Sequence, residues 1–335
     1  MKSWLLENTG RENLHLVDVP QPEPGPEQIL VRSTAISLNF RDKAIIDGTY
    51  TAPVDFPMVL GSDLAGEVVS VGAQVRTLKP GDQIVSVFKP LWIDGIPTKE
   101  ATAANLGGPL PGVLAEYVLL SERGALTYPE YLTVAQASTL PIAAVTAWVA
   151  LFEDGHLQSD ETVLIQGSGG VSVFGLQLAR AKGARVIATS RSAHKIDLLK
   201  QLGANDVIDT SEKPAWEDEV RALTGGKGVN HVLEVVGGES VQHSIDACAW
   251  GAHIAIIGFI SSRTATISLG SMMFPGVTLQ GVAVGSREHM TNMLKFLAQH
   301  RIEPVIDATY DFHALPDALD HLDHGPFGKV VLEVR

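Results

Sequence analysis

Cysteine is nearly absent from this 335-residue chain: Cys248 stands alone, so no disulfide can form within it. Basic residues are scarce as well, 25 Lys and Arg against 38 Asp and Glu, a formal net charge of −13 at pH 7. Nucleic-acid binders need clustered cations to meet phosphate, and that class is excluded. Long apolar runs are missing too. The longest, Leu140 to Phe152, falls short of the roughly 20 residues a membrane helix requires. Glu7 interrupts the start too early for a secretory signal, so a cytoplasmic protein is expected. Neither a Gly-x-Ser-x-Gly elbow nor a usable cysteine nucleophile occurs, which sets hydrolases aside. What remains, 45% apolar and 19% charged, describes a folded globular protein long enough for two domains.

From Met1 to about Arg123 the pattern is short strands between proline and glycine turns. Residues 28–36 suit a strand, and Lys79-Pro80-Gly81-Asp82 is turn chemistry ahead of a strand at 83–87. Gly61, Gly66 and Gly72 bracket an apolar alternation, the mark of close backbone approach or bulges in a curled sheet. Residues 94–112 read as an irregular surface excursion. After about Gly124, strands at 161–166, 185–189, 207–208, 231–236, 254–257 and 277–284 alternate with helices at 193–202, 215–223 and 240–249. That alternation predicts a parallel sheet covered on both faces, a doubly wound α/β domain. Helices at 288–300 and 315–322 and a last strand at 330–334 are read as rejoining the first domain. The expected divisions are 1–123, 124–285 and 286–335, with a cleft between the two domains.

The clearest site signal is Gln166-Gly167-Ser168-Gly169-Gly170-Val171-Ser172, placed between a predicted strand and a predicted helix. Gly167 makes the tight turn in such a motif, and Gly169 lets a pyrophosphate approach the backbone. Gly170 and Val171 then open the helix, whose N-terminus attracts an anion by about 0.3–2 kcal/mol. Ser172 stands where a third glycine is usual, which predicts a helix slightly further from its strand. Dinucleotide binding is the expectation. The second strand leads into Ser190-Arg191-Ser192-Ala193-His194-Lys195, with no carboxylate to accept from a ribose 2′-hydroxyl. Ser190, Arg191 and Lys195 suit a 2′-phosphate instead, with charge-assisted bonds worth about 1.5–3 kcal/mol each. NADPH is therefore expected in preference to NADH.

A wider set of motifs surrounds this turn: Gly61-Ser62-Asp63-Leu64-Ala65-Gly66 with Val71-Gly72, Lys79-Pro80-Gly81-Asp82, Leu140-Pro141 with Thr146-Ala147-Trp148, and Gly328-Lys329-Val330-Val331-Leu332. Together they resemble the medium-chain dehydrogenase/reductase superfamily along essentially the whole chain. The resemblance implies a GroES-like, mostly β catalytic domain, a Rossmann cofactor domain and an active site between them. Zinc-dependent members carry Cys where this chain has Asn39, and His-Glu where it has Ser62-Asp63. Their four-cysteine structural zinc lobe cannot form from one cysteine. Asp63 alone cannot supply the roughly three side-chain ligands a catalytic zinc takes, and His321 with His324 reads as a surface pair. No metal is expected. Asn39-Phe40-Arg41-Asp42 is similar instead to the zinc-less quinone oxidoreductase-like branch, which reduces quinones or activated C=C bonds with NADPH. Tyr50 falls at a tyrosine position of that branch. A second such position holds Ala44, and the tyrosine of its 2′-phosphate site corresponds to about Thr210.

The same resemblance implies that Thr146 faces the nicotinamide, that Gly258 and Phe259 pass near its carboxamide, and that Lys329 reaches the cofactor phosphates. Residues 281–286 are implied to line the nicotinamide end. Thr278-Leu279-Gln280 matches an edge that pairs subunits in many relatives, so a homodimer is expected. Without a metal, hydrogen bonds must polarise the hydride acceptor. The Asn39 amide and the Tyr50 hydroxyl are the candidate catalytic donors. The expected activity is zinc-independent hydride transfer from NADPH to a quinone, enone or related activated carbonyl compound. Zinc-free alcohol oxidation and NADPH binding without turnover stay open as alternatives.

Overall fold

Residues 1–50, 54–211 and 215–335 are described by the computed structural model. They fall into two units, Met1–Val145 with Gly285–Arg335, and Thr146–Val284. The first unit opens with strands β1 (Lys2–Leu6), β2 (Leu14–Asp18) and β3 (Gln28–Ser37) and helix α1 (Phe40–Ile46). Strands β4 (Met58–Val59), β5 (Asp63–Val71) and β6 (Gln83–Ser86) and helix α2 (Lys99–Ala103) come next. Then follow β7 (Tyr117–Ser121), β8 (Ala125–Thr127) and α3 (Val134–Ser138). β3 lies at the centre and pairs antiparallel with both β5 and β7. Its register against β5 shifts twice, at Leu30/Val31 and at Ser33/Ala35. Gly66 of β5 sits in this curl, where an added Cβ would lie 2.2 Å from Arg32 O. Only glycine permits that approach.

The apolar run from Leu140 winds as helix through α4 (Val145–Trp148), with π-helical turns on either side. The second unit then alternates strictly. It holds β9 (Thr162–Gln166), α5 (Gly170–Lys182), β10 (Arg185–Ser190), α6 (Ala193–Leu202), β11 (Asp206–Asp209) and α7 (Trp216–Leu223). β12 (Val229–Glu234), α8 (Ser240–Asp246), β13 (Cys248–Ile256), α9 (Leu269–Met273) and β14 (Thr278–Gly281) complete it. The six strands lie in the order β11-β10-β9-β12-β13-β14, and every pairing is parallel. Leu164, Ile187, Val232 and Ile254 fill its core. The strand order reverses at β9, and ligands of such sheets bind at the carboxyl ends beside that point. This is the Rossmann arrangement.

The chain finishes with α10 (Arg287–His300), β15 (Ile306–Asp311), α11 (Leu315–Asp323) and β16 (Lys329–Glu333). β16 pairs parallel with β15 and antiparallel with β3, closing a seven-stranded sheet in the first unit. Ile29, Ile36, Leu64, Leu114, Phe312 and Val330 pack its interior. The first division falls at 145/146 rather than near 123, because β8 is hydrogen-bonded to β6 and α3 packs on β3 and β5. Among the described residues no helix is long and apolar enough to cross a membrane.

Candidate active site

Three neighbouring strands end together in the first unit. Ser37 of β3 stands opposite Asp63 of β5 on one side and opposite Val331 of β16 on the other. Asn39 lies two residues beyond Ser37, and Lys329 two before Val331, so register brings Asn39, Asp63 and Lys329 to one place. Lys329 Nζ donates to Leu38 O at 2.8 Å and to Asn39 Oδ1 at 2.6 Å. It lies 3.7 Å from Asp63 Oδ2. All three side chains are buried.

Helix α1 starts at this point. Asp42 in its first turn accepts the Asn39 N–H at 2.8 Å, half of a capping box. Asn39 Nδ2 reaches Ser37 O only at 3.5 Å. Arg41, to which sequence reasoning gave no role, is buried beside them. Its Nη1 donates to Ser62 Oγ and, at 3.0 Å, to Leu106 O. Nη2 donates to Gly107 O and Gly108 O at 3.0 and 3.4 Å, and Nε to the Tyr50 oxygen at 3.5 Å. The guanidinium also lies 5.1 Å from the ring centres of both Tyr50 and Phe88.

Desolvation pushes the Asp63 carboxyl up to about 6, against the pull of Lys329, the Asn39 amide and the Ile142 N–H. The Lys329 ammonium stands 3.7 Å off, and neither Asp63 oxygen has a hydrogen-bond partner of good geometry among the described residues. Burial likewise raises Asp42 against the pull of Arg41, and lowers Lys329 against the pull of Asp63.

This set does not suit zinc. Asn39, Ser62 and Asp63 offer one carboxylate between them, and Lys329 and Arg41 already use the oxygens of Asn39 and Ser62. Among the described residues no three His, Cys, Asp or Glu side chains are grouped to hold a metal. His321 is engaged by Tyr310 and Asp307, each at 2.8 Å, and His324 by Asp320 O at 2.7 Å. Cys248 is buried, which pushes its thiol up to about 12 and removes it as a nucleophile.

In the second unit β9 leads into Gly167, whose φ of 69° is left-handed. A Cβ added at Gly167 or Gly169 would meet nothing within 4 Å, so the backbone there borders open space. Ser168 is buried, and Gly170 and Val171 begin the 13-residue α5. Ser172 does not simply hold the helix off. It is buried and donates to Gln166 O at 2.7 Å, while the close approach falls at Gly175, where an added Cβ would lie 2.3 Å from Leu233 Cδ1. A dinucleotide fits this cradle, with backbone N–H groups and open space where its pyrophosphate belongs.

At the end of β10 the Ser190 oxygen accepts the Ser192 N–H at 3.2 Å, and Arg191 is exposed with Lys195 nearby at the start of α6. Thr210 donates its N–H to Ser190 O at 2.9 Å. Asp209, which sequence reasoning passed over, stands opposite Ser190 in the sheet; its Oδ1 accepts the N–H and O–H of Ser211. Those bonds hold its carboxyl below the usual range. Thr146 is buried in α4. Gly258 and Phe259 line a cavity of about 210 Å³ with Gly237, Ser262 and Arg263.

Glu234 was also missed. Fully buried at the end of β12, it accepts the N–H groups of Val236 and Gly237, each at 2.9 Å, and Gln166 Nε2 at 2.7 Å. The hydroxyls of Ser240 and Ser244 complete its shell. A glutamate in the apolar run Leu233-Glu234-Val235 was its only signal.

Comparison with known proteins agrees with this architecture. The description "alcohol dehydrogenase GroES-like domain" matches residues 25–130, and "zinc-binding dehydrogenase" matches residues 170–299. A zinc-type alcohol dehydrogenase-like protein of Schizosaccharomyces pombe is 36% identical over 324 residues, 95% of this chain and 93% of that protein. A Sinorhizobium meliloti protein assigned to the alcohol dehydrogenases has a solved structure that matches with a TM-score of 0.95 at 42% identity, covering 99% and 98% of the two chains. The quinone oxidoreductase of Coxiella burnetii matches with a TM-score of 0.79 at 27% identity, covering 100% and 99%. A Rossmann unit combined with a GroES-like unit defines a class of nicotinamide-dependent oxidoreductases. The chain belongs to the medium-chain dehydrogenase/reductase family.

Proposed function

We propose that this enzyme reduces quinones, enones or related activated carbonyl compounds with NADPH and without zinc. The observation that carries this is the pair of buried cations bonded to the residues that stand at zinc-ligand positions of metal-dependent relatives, Lys329 on Asn39 and Arg41 on Ser62. Hydrogen-bond donors then take the place of a Lewis acid. They suit an acceptor whose developing charge sits on one oxygen, as in an enolate or a hydroquinone anion.

When bound, the dinucleotide supplies the hydride. Tyr50 and Asn39 are assigned to the substrate oxygen. The Tyr50 oxygen accepts from Arg41, so its own hydrogen is the one it can give away. The guanidinium, 5.1 Å from the ring centre, holds the phenol in place, and a positioned proton donor contributes about 10²–10⁴-fold. Asn39 is the second donor, since a 3.5 Å contact with Ser37 O is weak enough to exchange for a substrate oxygen.

Gly167, Ser168, Gly169, Gly170 and Val171 are assigned to the pyrophosphate, and Thr146, Gly258 and Phe259 to the nicotinamide end. Ser190, Arg191 and Lys195 are assigned to the 2′-phosphate, because two cations and a hydroxyl gather at the end of β10 with no carboxylate at the end of that strand. Absorbance of NADPH is the test, with 1,4-benzoquinone and trans-2-hexenal as acceptors and 1-butanol with NADP⁺ in reverse. Consumption with either acceptor is expected, and Arg191→Ala should raise KM for NADPH about tenfold or more while leaving NADH little changed. Turnover of 1-butanol alone would convert the assignment to alcohol oxidation. Binding without turnover of any of the three would remove it.

A further inference from the structure

Lys329 meets three acceptors inside the first unit: Leu38 O, Asn39 Oδ1 and, further off, Asp63. An ammonium carries three hydrogens and no lone pair, so the Asn39 atom facing it has to be the amide oxygen. The NH2 is thereby turned the other way, onto Ser37 O at 3.5 Å and toward the Asp63 carboxylate. The two ends of an amide are nearly equal in shape, and without a charge beside them either could face inward. The ammonium also draws electron density from Oδ1, which makes the hydrogens on Nδ2 better donors. Its bond to Leu38 O pins the residue just ahead as well. With these bonds made and Asp63 beside it, the ammonium is committed within the first unit rather than presented to phosphate.

We propose that Lys329 is a positioning residue, a tethered cation that takes the place of metal charge beside Asn39 and Asp63 and fixes the Asn39 amide with its NH2 on Ser37 O and toward Asp63, a weak contact it exchanges for a substrate oxygen. This rests on the assignment of Asn39 as a donor to the substrate oxygen. It replaces the role at the cofactor phosphates that family position implied for Lys329.

Lys329→Ala and Lys329→Met in the full-length enzyme test it. With 1,4-benzoquinone, kcat of both variants should fall about 10–100-fold, the worth of a charged hydrogen bond, while Kd for NADPH changes less than about twofold. Added ethylammonium should restore part of kcat to Lys329→Ala, where it can occupy the vacated space, and none to Lys329→Met. A weaker Kd for NADPH with kcat unchanged would make Lys329 a phosphate ligand and overturn the proposal, as would a folded Lys329→Ala that no amine rescues.

Bare buried carboxylates could unfold the single variants. The double variant Asp63→Asn/Lys329→Met removes both charges and should melt near the wild-type temperature with kcat still low. Recovery of kcat in that double variant would reduce Lys329 to charge balance and overturn the proposal. A readout without turnover comes from lysine labelled with ¹⁵N in the wild-type protein. The Lys329 ammonium signal, assigned by its loss in Lys329→Met, should be protected from water exchange and unmoved by 2′,5′-ADP; a shift on adding that ligand would place it on phosphate. Absence of wild-type turnover would defeat the proposed function, and the ammonium signal would still locate Lys329.

Discussion

Arg41 uses all the N–H donors of its guanidinium within the first unit, on three carbonyl oxygens and two hydroxyls. Of those hydroxyls, Ser62 passes its hydrogen to Leu106 O, which leaves Tyr50 as the one that can deliver a proton outward. Tyr50→Phe keeps the ring beside the guanidinium and removes only the oxygen. It should cost about 100-fold or more in kcat and no more than about 1 kcal/mol in stability, read by steady-state kinetics and thermal melts. A change confined to KM would take the proton from Tyr50.

A second single-residue case is Lys89, 5% exposed with its ammonium 5.3 Å from the Trp92 ring centre. Burial pushes this lysine down to about 8 from 10.5. Below about pH 8 the folded and unfolded chains are both protonated there, and the folded state bears the full cost of a desolvated charge. Between about pH 8 and 10.5 the folded chain releases the proton while the unfolded chain keeps it, so this site adds stability as pH rises. Lys89→Met removes the cost at every pH. Its melting temperature relative to the wild type should therefore fall as pH rises from about 7 to about 9.5, because only the wild type gains stability over that range. A margin that stays constant would exclude a buried charge as the cause.

At the scale of elements, α5 separates two uses of glycine. Gly169 borders open space, so Gly169→Ala should change stability by less than about 1 kcal/mol while weakening NADPH binding about tenfold or more, because the methyl stands where the pyrophosphate comes closest. Gly175 packs against Leu233, so Gly175→Ala should destabilise by about 1–3 kcal/mol and leave NADPH affinity nearly unchanged in the folded fraction. Fluorescence titration beside chemical denaturation separates them, and equal effects from both would remove the distinction. The strand–turn–helix context of these glycines was legible because strand and helix periods are local, and so was the stop of α6 at Gly203, whose φ is 103°. Local pattern failed at β13. Residues 240–249 read as helix, yet Cys248 already pairs with Val229 across the sheet, a demand of tertiary pairing over propensity. The cluster around Asn39 was legible only in part. Asn39 and Tyr50 were singled out as candidates through a motif, but the contact of Lys329 with Asn39 spans 290 residues and depends on the order of β16, β3 and β5. Arg41 escaped for the same reason, since three of its acceptors lie 65 to 67 residues further along the chain.

For the whole molecule, the outer edge of the second unit is the feature left open. β14 ends the six-stranded sheet, and an edge strand offers its N–H and C=O groups to another strand. Large apolar side chains gather near it. Trp250 on β13 is 81% exposed and Phe274 just past α9 is 72% exposed, and Gly251 N–H bonded to Pro275 O holds their segments together. Isolated exposed apolar residues are ordinary, whereas a group beside an open strand marks an interface. We propose a two-fold homodimer in which β14 meets its copy, since a two-fold axis lets one patch serve both partners. Each copy brings a formal charge of −13, so repulsion opposes the pairing and burial of the apolar group must outweigh it. Salt screens the first and not the second. Sedimentation should therefore give twice the 35.7 kDa chain mass. The dimer should tighten as salt rises from about 0.02 to about 0.5 M. Phe274→Glu should shift the protein to monomer with its NADPH affinity retained. A wild-type monomer at all salt concentrations, or a dimer that Phe274→Glu leaves intact, would move the interface elsewhere.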